Sequence, residues 1–166
     1  VLASGDFNGD GIEDLAIGAK SHSSVANSAG AIYFVSSDTA SGTVDSIATS
    51  SWFGAVANDK LGSAMANMGD IDGDGADELL VASLTIAGTG ANQGGAYIIY
   101  GDSTGSNTTG EDASTLPDVF AGGTNNANIG SMVAAGDLTA DGIPEIILSG
   151  SSLNSGKGRV MAIEGE

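Results

Sequence analysis

The chain has no cysteine, a single histidine, a single tryptophan and only four lysine plus arginine residues against 21 aspartate plus glutamate in 166 positions. Without cysteine, disulfides contribute nothing to stability, and a bound ion is the available staple. A formal charge of −17 argues against nucleic acid and against an anionic membrane surface, because both are themselves polyanions. No run of 18 apolar residues occurs, so no membrane insertion is expected. His22 lies in Ser21-His22-Ser23-Ser24 with no companion His or Cys, and reads as an exposed loop residue.

What the chain does have is three runs of oxygen donors arranged around glycine. They are Asp6-Phe7-Asn8-Gly9-Asp10-Gly11-Ile12-Glu13-Asp14, Asp70-Ile71-Asp72-Gly73-Asp74-Gly75-Ala76-Asp77-Glu78 and Asp137-Leu138-Thr139-Ala140-Asp141-Gly142-Ile143-Pro144-Glu145. Side-chain oxygens fall at positions 1, 3, 5 and 9: Asp6, Asn8, Asp10 and Asp14; Asp70, Asp72, Asp74 and Glu78; Asp137, Thr139, Asp141 and Glu145. Position 7 offers a backbone carbonyl, at Ile12, Ala76 and Ile143. This donor set suits Ca²⁺, a hard cation that takes six to eight oxygens at about 2.4 Å. Up to three ions are expected, the third held more weakly because Thr139 replaces a carboxylate. Three divalent ions would take the formal charge from −17 to about −11 and relieve self-repulsion.

An EF-hand loop opens with the same spacing but needs a bidentate Glu at position 12 and a following helix. Position 12 here is Ile17, Val81 and Leu148, each inside an apolar run, which removes that alternative. Those runs are Leu15-Ala16-Ile17-Gly18-Ala19, Leu79-Leu80-Val81-Ala82-Ser83 and Ile146-Ile147-Leu148-Ser149-Gly150. Each is short and rich in branched residues, as in a strand covered on both faces.

The first aspartates of the loops are 64 and then 67 residues apart, and the agreement extends beyond the loops. A second run opens at glycine in Gly30-Ala31-Ile32-Tyr33-Phe34-Val35, Gly95-Ala96-Tyr97-Ile98-Ile99-Tyr100 and Gly158-Arg159-Val160-Met161-Ala162-Ile163. An aromatic-glycine segment follows twice, as Trp52-Phe53-Gly54 and Phe120-Ala121-Gly122. Eight residues beyond each come Leu61-Gly62 and Ile129-Gly130. Trp52, Phe53 and Phe120 sit at matching places and are expected to pack between repeats. About four short strands per unit, repeated around an axis, make an all-β propeller-type array of about three blades. The units span residues 1–54, 55–122 and 123–166.

These loops, strands and glycines together resemble the FG-GAP repeat of integrin α-subunit propellers and of many bacterial extracellular proteins. Phe-Gly stands here as Leu61-Gly62 and Ile129-Gly130, the second name motif survives as Gly18-Ala19-Lys20, and the second and third loops close on Glu78 and Glu145 where the family has Asp. The resemblance implies an incomplete or open propeller, since a ring of seven such blades would need roughly 450 residues. Only five residues precede Asp6 where later repeats carry a full strand. The third repeat stops without its aromatic-glycine strand, so a longer parent or a second chain is expected to supply it.

The linkers, residues 21–29, 36–50, 84–93 and 102–117, have the composition of exposed loops. Within the last, Gly101-Asp102-Ser103-Thr104-Gly105 matches a nucleophile elbow in letters, but no helix-forming run follows and the only histidine precedes it, so it reads as a polar turn. Asn107-Thr108-Thr109 is a glycosylation sequon. The expected function is a non-enzymatic, extracellular or cell-surface calcium-binding module of adhesion or scaffold type. Its partners would be a protein or glycan surface ligand, or copies of itself through the incomplete third blade. The alternatives are a structural protomer of a head-to-tail filament and an accessory segment of a larger extracellular enzyme.

Overall fold

The computed structural model describes residues 1–39, 41–86, 92–104, 110–116, 119–121, 126–152 and 156–164. In chain order the elements are β1 (Leu2–Gly5), β2 (Asp14–Gly18), β3 (Ala31–Val35), α1 (Val44–Ile47), β4 (Ser50–Phe53), β5 (Met65–Gly69), β6 (Glu78–Ser83), β7 (Gly95–Ile99), β8 (Glu111–Asp112), β9 (Val119–Ala121), β10 (Ile129–Gly136), β11 (Glu145–Gly150) and β12 (Arg159–Ile163), with a 3₁₀ turn at Ala113–Thr115. They form three open sheets, ordered β1-β2-β3-β4-β8, β5-β6-β7-β9 and β10-β11-β12. All neighbours pair antiparallel except β4 with β8, which is parallel. The all-β expectation of propeller-type blades holds, with no closed barrel among the described residues.

The sheets stack face to face, and period-two alternation decides which residue faces which neighbour. Ala16, Ile32 and Phe34 of the first sheet meet Leu79, Val81, Tyr97 and Ile99 of the second in one core. Leu80, Ala96 and Ile98 turn the other way to meet Ile129, Ile146 and Leu148 of the third. Strand β6, between two sheets, is buried along its entire length. Each fully buried Leu there contributes about 2 kcal/mol of hydrophobic stabilisation. Trp52 packs on the first core and Phe120 on the second, between repeats as expected, whereas Phe53 packs within its own repeat, on His22 and Tyr33.

Several expectations change. The five residues before Asp6 do supply a strand: β1 needs only Leu2–Gly5, paired to β2 from Leu2↔Ile17 to Gly5↔Asp14. Strands β2 and β11 are not covered on both faces as β6 is, because each lies in a terminal sheet of the stack. Leu15 is consequently exposed, as is Val160 on β12. The linker over residues 102–117 is more than loop: β8 adds to the edge of the first sheet, opposite Trp52 and Phe53. His22 is half-buried, not a free loop residue; its ring stacks on Phe53 at 5.3 Å and meets Tyr33 edge-on at 5.8 Å. Gly105, Asn107, Thr108, Thr109 and Gly122 lie outside the described residues.

Strand β7 starts at Gly95 as expected, but the glycine equivalent to Gly30 lies one residue before it. With Leu15↔Val35, Leu79↔Ile99 and Ile146↔Ile163 as equivalent pairs, the equivalents of Gly30 are Gly94 and Gly158. All three have positive φ, at 85°, 68° and 71°. Gly30 bridges Leu61 and Gly94 bridges Ile129, both in parallel. Those bridges tie each sheet to the next, and they require backbone approach that a Cβ would block.

Candidate functional site

Each of the three loops folds around its own aspartates. In the first, the N–H groups of Asp10 and Gly11 donate to Asp6 Oδ1 (3.0 Å) and Oδ2 (2.7 Å), and Asp10 N–H also reaches Asn8 Oδ1 at 2.9 Å. In the second, Gly73 and Gly75 donate to the two oxygens of Asp70 at 2.7 and 3.0 Å, and Asp74 N–H donates to Asp72 Oδ1 at 3.1 Å. In the third, Asp141 and Gly142 donate to Asp137 at 3.2 and 2.9 Å. The position-7 residues Ile12, Ala76 and Ile143 donate their N–H to position 5, Asp10, Asp74 and Asp141, at 2.8, 2.8 and 2.9 Å. This recurring Asx turn explains why aspartate stands at position 5 in every copy.

Position 9 is where each loop becomes a strand, and there the carboxylate is buried: Asp14, Glu78 and Glu145 are 5%, 0% and 4% exposed. Asp14 Oδ1 accepts from Ser37 N–H at 3.1 Å. Glu78 accepts from Ile71 N–H at 2.7 Å and Gly101 N–H at 3.3 Å. Glu145 accepts from Leu138 N–H and from the Thr139 hydroxyl at 3.2 Å. Burial pushes the Asp14 carboxyl above its usual range, with the charges of Asp10 and Asp6 adding to it and the Ser37 bond opposing. Glu78 is raised in the same way, by burial first and by Asp72 and Asp70 as well. A divalent cation among these groups would favour the charged forms and oppose that rise.

The second and third loops gather three carboxylates each. One oxygen from each of Asp70, Asp72 and Glu78 lies within 4.8 Å of the others, and the same holds for Asp137, Asp141 and Glu145. Two oxygens bound to one Ca²⁺ at about 2.4 Å can be no more than about 4.8 Å apart, so both triads fit the ion. Asp74 is outside the second triad and accepts from the Ser103 hydroxyl at 3.1 Å. Thr139 is bonded to Glu145 within the third. Among the described residues the first loop brings no three carboxylates that close, although Asp6, Asp10 and Asp14 stand at the positions that form the triad of the third loop.

Two residues that sequence reasoning passed over tie the first loop to the second. Asp77 donates its N–H to Asp6 O at 2.7 Å, and its Oδ2 accepts from Asp6 N–H at 3.1 Å and from Asn67 Nδ2 at 2.8 Å. Ser103 sits against Gly9, where a Cβ would come within 2.8 Å of the serine Cβ. Neither carries a local signal: Asp77 is one more acid in an acidic run, and Ser103 is a turn serine.

Residues 1–35 match the model of the FG-GAP repeat family, over β1, the whole first loop, β2 and β3. No curated protein matches the chain. The order strand, acidic loop, strand, strand recurs in β5-β6-β7 and β10-β11-β12.

Proposed function

We propose that the chain is a non-enzymatic, calcium-stabilised extracellular module of adhesion or scaffold type. The observation that carries the calcium part is the convergence of Asp70, Asp72 and Glu78 at the junction between a loop and the most deeply buried strand. Ca²⁺ bound there would supply the positive charge that three neighbouring carboxylates lack. Asp137, Asp141 and Glu145 would hold a second ion. The extracellular address draws on the FG-GAP match and on millimolar calcium outside cells, which suits loops made mostly of exposed oxygens.

Because the donors converge only in the folded chain, binding free energy is folding free energy. EGTA should lower the melting temperature, Ca²⁺ should restore it, and Mg²⁺, which demands a smaller octahedral shell, should restore it poorly. A melting curve indifferent to chelator would end this reading. A second reading, a protomer of a head-to-tail filament, draws on the exposed apolar side chains of the third sheet, Met132 and Val160, at 71% and 68%. Concentration-dependent light scattering separates the two.

A further inference from the structure

Asp77, at position 8 of the second loop, holds both backbone polar groups of Asp6, at position 1 of the first: it donates its N–H to Asp6 O at 2.7 Å and accepts from Asp6 N–H on Oδ2 at 3.1 Å. Asn67 Nδ2 steadies that carboxylate, donating to Oδ2 at 2.8 Å and to Ser4 O at 3.0 Å. The turn after β7 keeps the two loops pressed together. Gly101 N–H donates to Glu78 Oε1 at 3.3 Å and Asp102 N–H to Phe7 O at 3.1 Å, and a Cβ on Gly101 would lie 2.6 Å from Asp77 O and 3.1 Å from Phe7 O.

Asp77 stands between Ala76 and Glu78, the position-7 and position-9 residues of the second loop, so whatever fixes those two fixes Asp77 as well. On its far side, the Asp6 carboxylate is the group around which the first loop folds, through the N–H groups of Asp10 and Gly11. Order in the second loop is thereby passed to the first through one residue. The third loop is built differently. Its position 8 is Pro144, which has neither an N–H nor a carboxylate and can make neither bond to the loop before it.

We propose, resting on the calcium reading of the second loop, that calcium bound there orders the first loop through Asp77, while the third loop responds to calcium independently. Asp77 is a positioning residue and not a ligand: it sets where the Asp6 carboxylate stands. The two loops then share one coupling free energy, which linkage makes reciprocal.

An NMR titration of the full chain with Ca²⁺ reads each loop separately, because Asp10 and Gly11 amides report the first, Gly73 and Gly75 the second, and Asp141 and Gly142 the third. In the unaltered chain the first two loops should respond at one calcium concentration. Asp72→Asn removes a charge from the second triad alone, and should raise the midpoints of both those loops about fivefold or more while the third stays in place. Asp77→Pro, which puts the third loop's residue in the second, should separate the first-loop midpoint from the second about fivefold or more, or abolish the first-loop response. Asp77→Ala keeps the N–H bond and should separate them by a smaller factor, and it decides the matter if the proline variant fails to fold. Asp77→Asn, whose amide oxygen can still accept from Asp6 N–H, should keep the two together. Melting curves check that each variant folds. First-loop amides indifferent to Asp72→Asn, or still tracking the second loop in every folded variant of Asp77→Pro and Asp77→Ala, would overturn the proposal. Gly73 and Gly75 silent toward calcium in the unaltered chain would end the calcium reading itself, an outcome distinct from a second loop that responds while the first does not follow.

Discussion

Gly94 and Ile129 meet backbone to backbone: a Cβ built on Gly94 would lie 2.1 Å from the carbonyl oxygen of Ile129 and 2.8 Å from its nitrogen. The contact joins the second sheet to the third through one parallel bridge, and it repeats the meeting of Gly30 with Leu61 one repeat earlier. Gly94 also has φ +68°, so a substitution there faces both strain and collision.

Gly94→Ala should therefore destabilise by about 3 kcal/mol or more, well beyond the ~1–2 kcal/mol of left-handed backbone strain alone. Gly11→Ala is the control, since its φ is +84° but nothing lies within 4 Å of the added Cβ. Chemical denaturation of both variants at saturating calcium tests the difference, and equal losses would show that the sheet junction does not depend on this approach.

Asp59 gives a pH dependence with a defined sign. It is 1% exposed; Oδ2 accepts from Val56 N–H at 2.9 Å, while Oδ1 meets no hydrogen-bond donor within bonding geometry among the described residues. Burial raises its carboxyl from 3.8 to about 6, with the charge of Asp112 adding and the N–H groups of Val56 and Ala55 opposing. Tyr97, whose phenol is also raised by burial, feels the same Asp59 charge. A folded value above the unfolded one means the folded chain holds the proton more tightly. The stabilisation is thus complete below about pH 4 and is lost as pH rises through about 6, to the extent of roughly 2–3 kcal/mol. Urea titrations at pH 4 and pH 7 with saturating calcium should show a smaller difference for Asp59→Asn than for the unaltered chain. An identical difference in both would refute the assignment.

How much of this could be read from the sequence depends on the range of the interaction. The three loops were legible because their chemistry is local: an Asx turn fixes position 5, and an acid at position 9 marks where the strand begins. The recurrence of short strands behind each loop followed from the same repeat. The phase of the second repeat was not, since Gly94 and Gly95 are adjacent and only the bridge to Ile129 shows which carries the left-handed turn. Asp59, Asp77 and the pairing of β8 with β4 depend on partners distant in sequence, and His22 acquires its role from Phe53, 31 positions on. Composition around each of these residues is that of an ordinary polar loop.

The last prediction separates the acids of the second loop. Donor spacing alone makes Asp70, Asp72, Asp74 and Glu78 equivalent ligands. The structure divides them: one oxygen from each of Asp70, Asp72 and Glu78 converges, whereas Asp74 accepts from Ala76 N–H and the Ser103 hydroxyl. Glu78 is moreover fully buried and braced by Ile71 and Gly101, so its carboxylate is already held in place when an ion arrives. Glu78→Gln keeps the shape and removes the charge, and should weaken the second calcium site about tenfold or more, in line with the strength of charge-assisted contacts at a buried position. Asp74→Asn should cost less, because its amide oxygen still accepts the turn bond from Ala76. Calorimetric calcium titration of both variants decides the matter. A larger loss for Asp74→Asn would mean that the ion sits toward position 5 and that the Ser103 contact gives way when it binds.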